Sequence, residues 1–238
     1  MKIISQTKYN LAYALLPFKR NQDVVQIFPI TKKNYQYVAC IVDGWNELSL
    51  NDDVPGREVA QTVLQIYPEF YFNSKLTNVL QRANDAATRT EITILNKFPV
   101  CATSVAMFLF HTIDQDVIVS VGDEEIYLWD GTHWYKPKEI DNHPSVPENP
   151  KGSFRFFGCP QKKKDRRYSS IPDVFSFPAD TPCIIATDGI KDVLTIDDIN
   201  SITQTVTKKT SKNLLEALLK EIQRRKTQKD DISILVRW

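Results

Sequence analysis

The stretch "PCIIATDGIKDVLT", Pro182 to Thr195, decides how the rest of the chain is read. Four apolar or small residues in a row, rich in β-branched side chains, read as a buried strand. The run stops at Thr187, and Asp188 and Gly189 follow at once, with a second carboxylate at Asp192. A strand that ends by aiming an aspartate at its own tip is either closing a turn, since Asp-Gly is a frequent turn pair, or presenting an oxygen ligand on a rigid support.

The same arrangement recurs. Asp43 follows "YVACIV" and is also succeeded by glycine; Asp123 follows "VIVSVG"; Asp23 precedes "VVQIF" and Asp230 precedes "ISILVRW". The runs at 24–28 and 37–42 flank a polar connection and read as a hairpin, which puts the entry of its first strand and the exit of its second at one open end. Asp23 and Asp43 therefore meet. If the strand before Asp188 runs antiparallel to the last strand, Asp188 and Asp230 meet in the same way. Any one of these aspartates, taken singly, is an ordinary turn residue; the set is what points to a site. Clustered carboxylates repel, and in a cleft of low dielectric some must hold protons unless a cation is present. Oxygen donors without His or Cys select hard cations such as Mg²⁺ or Mn²⁺. Glycine after Asp43 leaves the backbone carbonyl free to turn toward the same point.

The remainder of the chain fits around this core. Its 238 residues carry a formal charge of +1, 42% hydrophobic and 25% charged residues, as an ordinary globular domain does. Near-neutral charge offers no electrostatic footprint for nucleic acid or for an anionic membrane. No apolar run reaches the length of a membrane span, and the first residues are too polar and interrupted for a secretory h-region. Cys40, Cys101, Cys159 and Cys183 form no Cys-x-x-Cys pair and read as reduced thiols, consistent with a cytoplasmic protein. Helical patterning covers 56–67, then 68–90 with Pro68 in the first turn of a second helix, then "DDINSITQTV" and "SKNLLEALLKEIQRRK" with Ser211 as N-cap. From about 137 to 180 proline becomes frequent, and "QKKKDRRYSS" (161–170) is basic. This reads as a mobile excursion within a single domain, residues 1–238. Strands and helices come in groups rather than in alternation, which predicts an α+β fold with antiparallel sheets and helices on their faces.

With these pieces in order the chain resembles the metal-dependent serine/threonine protein phosphatases of type 2C. "RNQD" (20–23) is similar to the family's early acidic motif and "CIVDGW" (40–45) to its Asp-Gly metal motif. "GREVAQTV" (56–63) resembles the helix start that follows, and "CATSVAMF" (101–108) stands where the family has a Gly-Thr-Thr-Ala strand. "VSVGDEEIYLWDG" (119–131) resembles the Gly-Asp-Ser-Arg strand pair, "IIATDGIKDVL" (184–194) the Ser-Asp-Gly-x-x-Asp motif, and "KDDISILV" (229–236) the final Asp-Asn-x-Thr strand. The ordered set spans nearly the whole chain.

The resemblance implies an α-β-β-α sandwich with two metal ions, Mg²⁺ or Mn²⁺, in a cleft at one end of the sheets. Asp43 would bridge the two, the Gly44 carbonyl would bind one, and Asp188 and Asp230 the other. Asp23 would hold metal-bound water without ligating an ion itself, and Asp123 and Asp192 match positions for a possible third ion. The implied reaction is hydrolysis of phosphoserine or phosphothreonine by a metal-activated water, with a phosphoprotein as substrate and a kinase or its target as a possible partner. The chain also departs from the family pattern. Gln22 replaces an acid. Phe18 stands where a phosphate-binding Arg is usual, leaving the adjacent Lys19 and Arg20 as candidates for the substrate phosphate. "WNELSLNDDVP" (45–55) replaces the usual glycine pair, and Asp231 replaces a common Asn. His111, His133 and His143 are candidates for protonating a leaving group, with none assigned. Two other readings stay open: a catalytically weak, phosphatase-like binding or regulatory module, and a different carboxylate-metal hydrolase such as a nuclease.

Overall fold

Strands β3 (Val24–Pro29) and β4 (Tyr35–Asn46) form the expected hairpin, with Val24 opposite Val42 and Pro29 opposite Tyr37. They belong to a computed structural model that describes residues 3–6, 9–17, 22–32, 34–46, 56–98, 102–137, 157–158 and 171–238. The elements in chain order are β1 (Ile3–Gln6), β2 (Leu11–Leu16), β3, β4, α1 (Gly56–Asn73), α2 (Val79–Lys97), β5 (Ala102–Thr112), β6 (Gln115–Val121), β7 (Glu125–Trp129), β8 (Trp134–Tyr135), β9 (Phe157–Gly158), β10 (Asp173–Pro178), β11 (Cys183–Ala186), α3 (Ile196–Thr205), α4 (Ser211–Arg225) and β12 (Ile232–Arg237). One antiparallel sheet has the order β1-β2-β12-β11-β7-β8, and the second β10-β6-β5-β4-β3 with β9 paired to β5.

The strand period of two explains the layers. Along β4, Ala39 and Ile41 face one way and Val38, Cys40 and Val42 the other. Along β5, Met107 and Leu109 oppose Phe108 and Phe110. The first set of each strand meets Leu11, Ile126, Ile185 and Leu235 of the other sheet and fills the space between the sheets. The second set meets Val59, Val63 and Tyr67 of α1 and Ala83, Ala87 and Ile94 of α2. On the far side, Ala14, Ile184 and Ile234 pack beneath Leu214, Leu215, Leu218 and Leu219 of α4. Each fully buried Leu, Ile or Phe contributes on the order of 1.5–3 kcal/mol. Both faces of both sheets are thus covered, giving an α-β-β-α sandwich with three apolar layers.

Local readings are corrected in three places. Pro68 does not open a helix but lies inside α1. Its ring removes one backbone donor, yet Tyr67 and Tyr71 on either side are fully buried against the sheet, Tyr67 stacked on Phe108 and Tyr71 on Phe110. That packing carries the helix through. The break falls instead at 74–78, where Asn78 caps α2 by accepting from Gln81 N. The cap of α4 is Thr210, accepting from Asn213 N; the Ser211 hydroxyl donates to the Asn10 carbonyl at 2.5 Å and so ties the helix to the β1–β2 turn. Within the segment read as an excursion, β9 and β10 are strands of the second sheet, β10 running along β6 from Asp173 opposite Ser120 to Pro178 opposite Gln115. The basic block at 161–170 and His143 lie outside the described residues. No helix among the described residues is long and apolar enough to cross a membrane.

Candidate metal centre

The acidic positions gather because of the strand registers. Val24 opposite Val42 brings Asp23 across from Asp43. Ala186 is opposite Ile234, and Thr187 N donates to Ser233 O at 3.0 Å, so Asp188 leaves the sheet beside the point where Asp230 and Asp231 enter it. Ala186 is also opposite Glu125, and the connection 122–124 carries the chain from β6 in one sheet to β7 in the other, which delivers Asp123 to the same end. Asp43 is not at a strand tip as its neighbours suggested: β4 continues to Asn46, with Asp43 opposite Val105 and Gly44 opposite Ser104. Its carboxylate therefore projects from mid-strand, on a backbone fixed by pairing on the β5 side.

Asp23 is the best-supported carboxylate. It is 1% exposed, and its Oδ2 accepts from the Ser233 hydroxyl at 2.7 Å and the Thr187 hydroxyl at 3.0 Å. Both hydroxyls belong to the other sheet, and the Thr187 hydroxyl in turn accepts from Ser233 N. Asp23 is thus a pin between the sheets; its Oδ1 is buried with no N–H or hydroxyl donor among the described residues, and the Asp43 carboxyl lies within hydrogen-bonding reach of Asp23. Burial pushes its carboxyl up to about 6, with the Ser233 hydroxyl opposing the shift. For Asp43 burial is again the first cause, followed by the charges of Asp23, Asp188 and Asp230, and the carboxyl stands well above its ordinary value. Burial and then Asp123 push Asp188 up to about 6, against the opposing charge of Lys191. Asp230 is raised by burial, with Asp231, Asp192 and Asp123 adding to it. These are the signs of several negative charges crowded in one cleft without enough positive charge.

Two glycines let the supporting backbones close up. A Cβ on Gly44 would stand 2.3 Å from the Gly56 carbonyl oxygen, and one on Gly189 would stand 2.4 Å from the Asp231 carbonyl oxygen. Gly44 is therefore required so that the start of α1 can lie against β4, a different reason from the carbonyl freedom inferred for it. Gly189 lets the turn carrying Asp188 rest on the strand entry carrying Asp230. Asp231 has its own part: its Oδ2 accepts from Gln22 N at 2.7 Å, holding the backbone next to Asp23.

Residue-pattern reasoning missed the supporting Thr187 and Ser233, together with Glu124, Glu125 and Lys191, and noted Asp231 only as a departure from the family's Asn, without its bond to Gln22 N. The run "GDEE" and the lysine inside "DGIKD" were the available signals. Lys191 Nζ lies 3.7 Å from Asp123, 3.7 Å from Asp188 and 3.9 Å from Glu125. Lys136 pairs with the other oxygen of Glu125. Asp192 is exposed and acts on Asp188 and Asp230 through its charge. Lys19 and Arg20 lie outside the described residues. His111 is not at this end at all: it is buried, stacked on Tyr37 and bonded to Asp116 at 2.6 Å, whereas His133 sits in the β7–β8 turn against Thr132.

Among the described residues no three His, Cys, Asp or Glu side chains are drawn together as a closed ligand set. The donor chemistry nevertheless fits a hard divalent ion: oxygen donors only, backbones fixed by sheet registers and close glycine contacts, and raised carboxyls that a cation would relieve.

No family model and no curated protein matches the sequence. Solved structures do match in shape. A bacterial serine phosphatase superposes with a TM-score of 0.71 at 14% identity, covering 95% of this chain and 96% of that one. A serine/threonine phosphatase from Staphylococcus aureus gives 0.69 at 12% identity over 99% and 97%. The catalytic domain of the serine/threonine protein phosphatase PstP, in complex with two manganese ions, gives 0.64 at 13% identity over 95% and 96%. Two antiparallel sheets faced by helices are what this chain has in common with those phosphatases: it has their fold.

Proposed function

We propose that the chain is a metal-dependent phosphoprotein phosphatase acting on phosphoserine and phosphothreonine. The observation that carries the reading is the convergence of Asp43, Asp188 and Asp230, from three different strands and two sheets, at one end of a phosphatase-type sandwich. Asp43, Asp188 and Asp230, with the Gly44 carbonyl, are the residues that would hold two Mg²⁺ or Mn²⁺ ions. When bound, the ions supply a nucleophile from water near neutral pH and offset the negative charge on the phosphoryl oxygens.

The chain's own residues set the frame for that chemistry. Unneutralised, this end of the molecule would repel a phosphate dianion, so substrate entry depends on the charge balance that the carboxylates establish. Asp23 is anchored through Oδ2 and retains Oδ1, placed to accept a hydrogen bond from an attacking water and fix its direction. Lys19 and Arg20, four and three residues upstream of Asp23, are proposed to bind the substrate phosphate, Arg through a planar fork and Lys as a point charge. A phosphoprotein is the proposed substrate, a kinase or its target the proposed partner, and the cytoplasm the proposed compartment.

The test is hydrolysis of a generic phosphomonoester and of phosphoserine and phosphothreonine peptides, with added Mn²⁺ or Mg²⁺ and then with chelator. Turnover that requires the ion is expected. Full turnover after exhaustive metal removal overturns the metal-dependent reading, and absence of turnover despite tight ion binding favours the binding or regulatory module.

A further inference from the structure

The side chain of Lys191 is the unexplained element of the acidic cleft. Lys191 directly follows the 3-10 turn Asp188–Ile190, and its N–H bonds the Asp188 carbonyl at 3.0 Å, so the base of the side chain is fixed by the same turn that carries Asp188. Its ammonium stands at nearly equal distances, 3.7, 3.7 and 3.9 Å, from carboxylate oxygens of Asp123, Asp188 and Glu125. These come from the β6–β7 connection, the turn after β11 and the start of β7. Glu125 is only 3% exposed and is held on its other oxygen by Lys136, so it cannot swing away to solvent. The three distances exceed a hydrogen-bond length. Lys191 therefore acts as a charge centred among three acids rather than as a clamp on one of them.

We propose that Lys191 is a tethered cation whose ammonium, lying between Asp123 and Asp188, supplies the positive charge for which Asp123 and Asp192 would otherwise recruit a third divalent ion. The site then takes two divalent ions and not three, with the ammonium supplying the remaining positive charge from within the chain. The inference rests on the metal-dependent reading above. It follows from two placements. Asp123 and Asp188 turn toward one point, and that point already holds a positive charge whose repulsion of a divalent ion is twice that of a monovalent one. A lysine so placed is also always present, whereas a weak third ion is bound only at high metal concentration.

The experiment is metal binding to the full chain, stripped of metal, by titration calorimetry with Mn²⁺ and by equilibrium dialysis. Wild type is expected to take up two Mn²⁺. Lys191→Met should take up a third, and adding Asp123→Asn to it should remove that third ion again. The loss of the ammonium should also tighten the first two ions on the order of tenfold. In chelator, Lys191→Met should unfold at a lower temperature than wild type and gain more from added Mn²⁺, and Lys191→Arg should restore both values. Should Lys191→Met not fold, Asp123→Asn in the wild-type background still decides: two ions retained supports the proposal, and one ion lost overturns it. Three ions on wild type, or two on a folded Lys191→Met, overturns it while leaving the phosphatase reading intact. No Mn²⁺ on wild type overturns both.

Discussion

Asp188 is where residue-level reasoning is most exposed to test. Its backbone is fixed by the strand before it and by Gly189 lying on Asp231, while its carboxyl, raised to about 6 by burial and by Asp123, stands in the cleft. Asn keeps the shape and the turn hydrogen bonds but not the charge. Asp188→Asn is therefore expected to keep the fold and to unfold at a higher temperature than wild type in chelator, because like-charge repulsion is relieved. It should also weaken Mn²⁺ binding measured by calorimetry and lower kcat by on the order of a hundredfold or more. A mutant with unchanged ion affinity and rate would make Asp188 a turn residue. A second prediction concerns the two candidates for the phosphate. Replacing Lys19 and Arg20 together by Ala should raise KM for phosphopeptides, at a cost of about 1.5–3 kcal/mol for the lost charge-assisted bonds, while Mn²⁺ affinity holds. Equal KM and kcat in mutant and wild type would assign the pair to solvent. The acids were legible as a set and not singly, because each sits beside an apolar run that fixes its place. Thr187 and Ser233 were not: a hydroxyl in or beside a strand carries no pattern of its own, and its meaning appears only when the register of two strands is known.

At the scale of elements, alternation and turn chemistry read well and helix ends read badly. The β3–β4 hairpin and the antiparallel pairing of β11 with β12 were both readable, the first from its alternation and the second as a condition for Asp188 to meet Asp230. The path of α1 through Pro68 was not, since the aromatic stacking that carries it depends on β5, a strand distant in sequence. Strand β9 was equally invisible, two residues long and defined by its partners. It is held from the helix side: Glu91 of α2 accepts from Gly158 N at 3.0 Å, and burial pushes the Glu91 carboxyl up to about 7 despite that bond. The sign of the consequence follows. A carboxyl raised in the folded state binds its proton more tightly there than in the unfolded chain. Its stabilisation is complete below the unfolded value and is lost as pH rises through about 7. Wild type should thus lose about 1–3 kcal/mol between the two values through this group, partial exposure reducing the effect. Glu91→Gln, which keeps the acceptor and cannot ionise, should be the more stable protein at pH 8 and should lack this slope. Urea midpoints across pH 4.5–8 measure both. Parallel profiles for the two proteins would show that Glu91 does not titrate where its surroundings imply.

For the whole molecule, the two ends of the sandwich are built on opposite electrostatic plans. The end proposed to hold metal crowds carboxylates with little positive charge among them, whereas the other end closes on a buried, self-neutralised network. Arg237 of β12 and Asp116 of β6, 2% and 0% exposed, form an ion pair across the inter-sheet space. Arg237 also donates to the Tyr37 hydroxyl at 2.8 Å and to the Thr181 carbonyl at 2.7 Å, and the second Asp116 oxygen bonds His111 at 2.6 Å. Every principal group in it has a partner on the opposite sheet or beside it, which is the condition under which a buried pair is tolerated. Its removal by halves should be severe. Asp116→Ala leaves a guanidinium without its counter-charge in an apolar layer and is expected to cost on the order of 3–5 kcal/mol in urea unfolding. Adding Arg237→Met to that variant removes the stranded charge and should recover a large part of the loss, the Tyr37 hydroxyl and His111 remaining less well paired. Because the network stands at the end of the sheets away from Asp43, the folded variants should bind Mn²⁺ with wild-type affinity. A double variant as unstable as Asp116→Ala would show that the pair supports the sheets through geometry rather than charge. A large fall in Mn²⁺ affinity at unchanged foldedness would show that the two ends are coupled through β4, β5 and β12, and that the sandwich is a lever rather than a rigid frame.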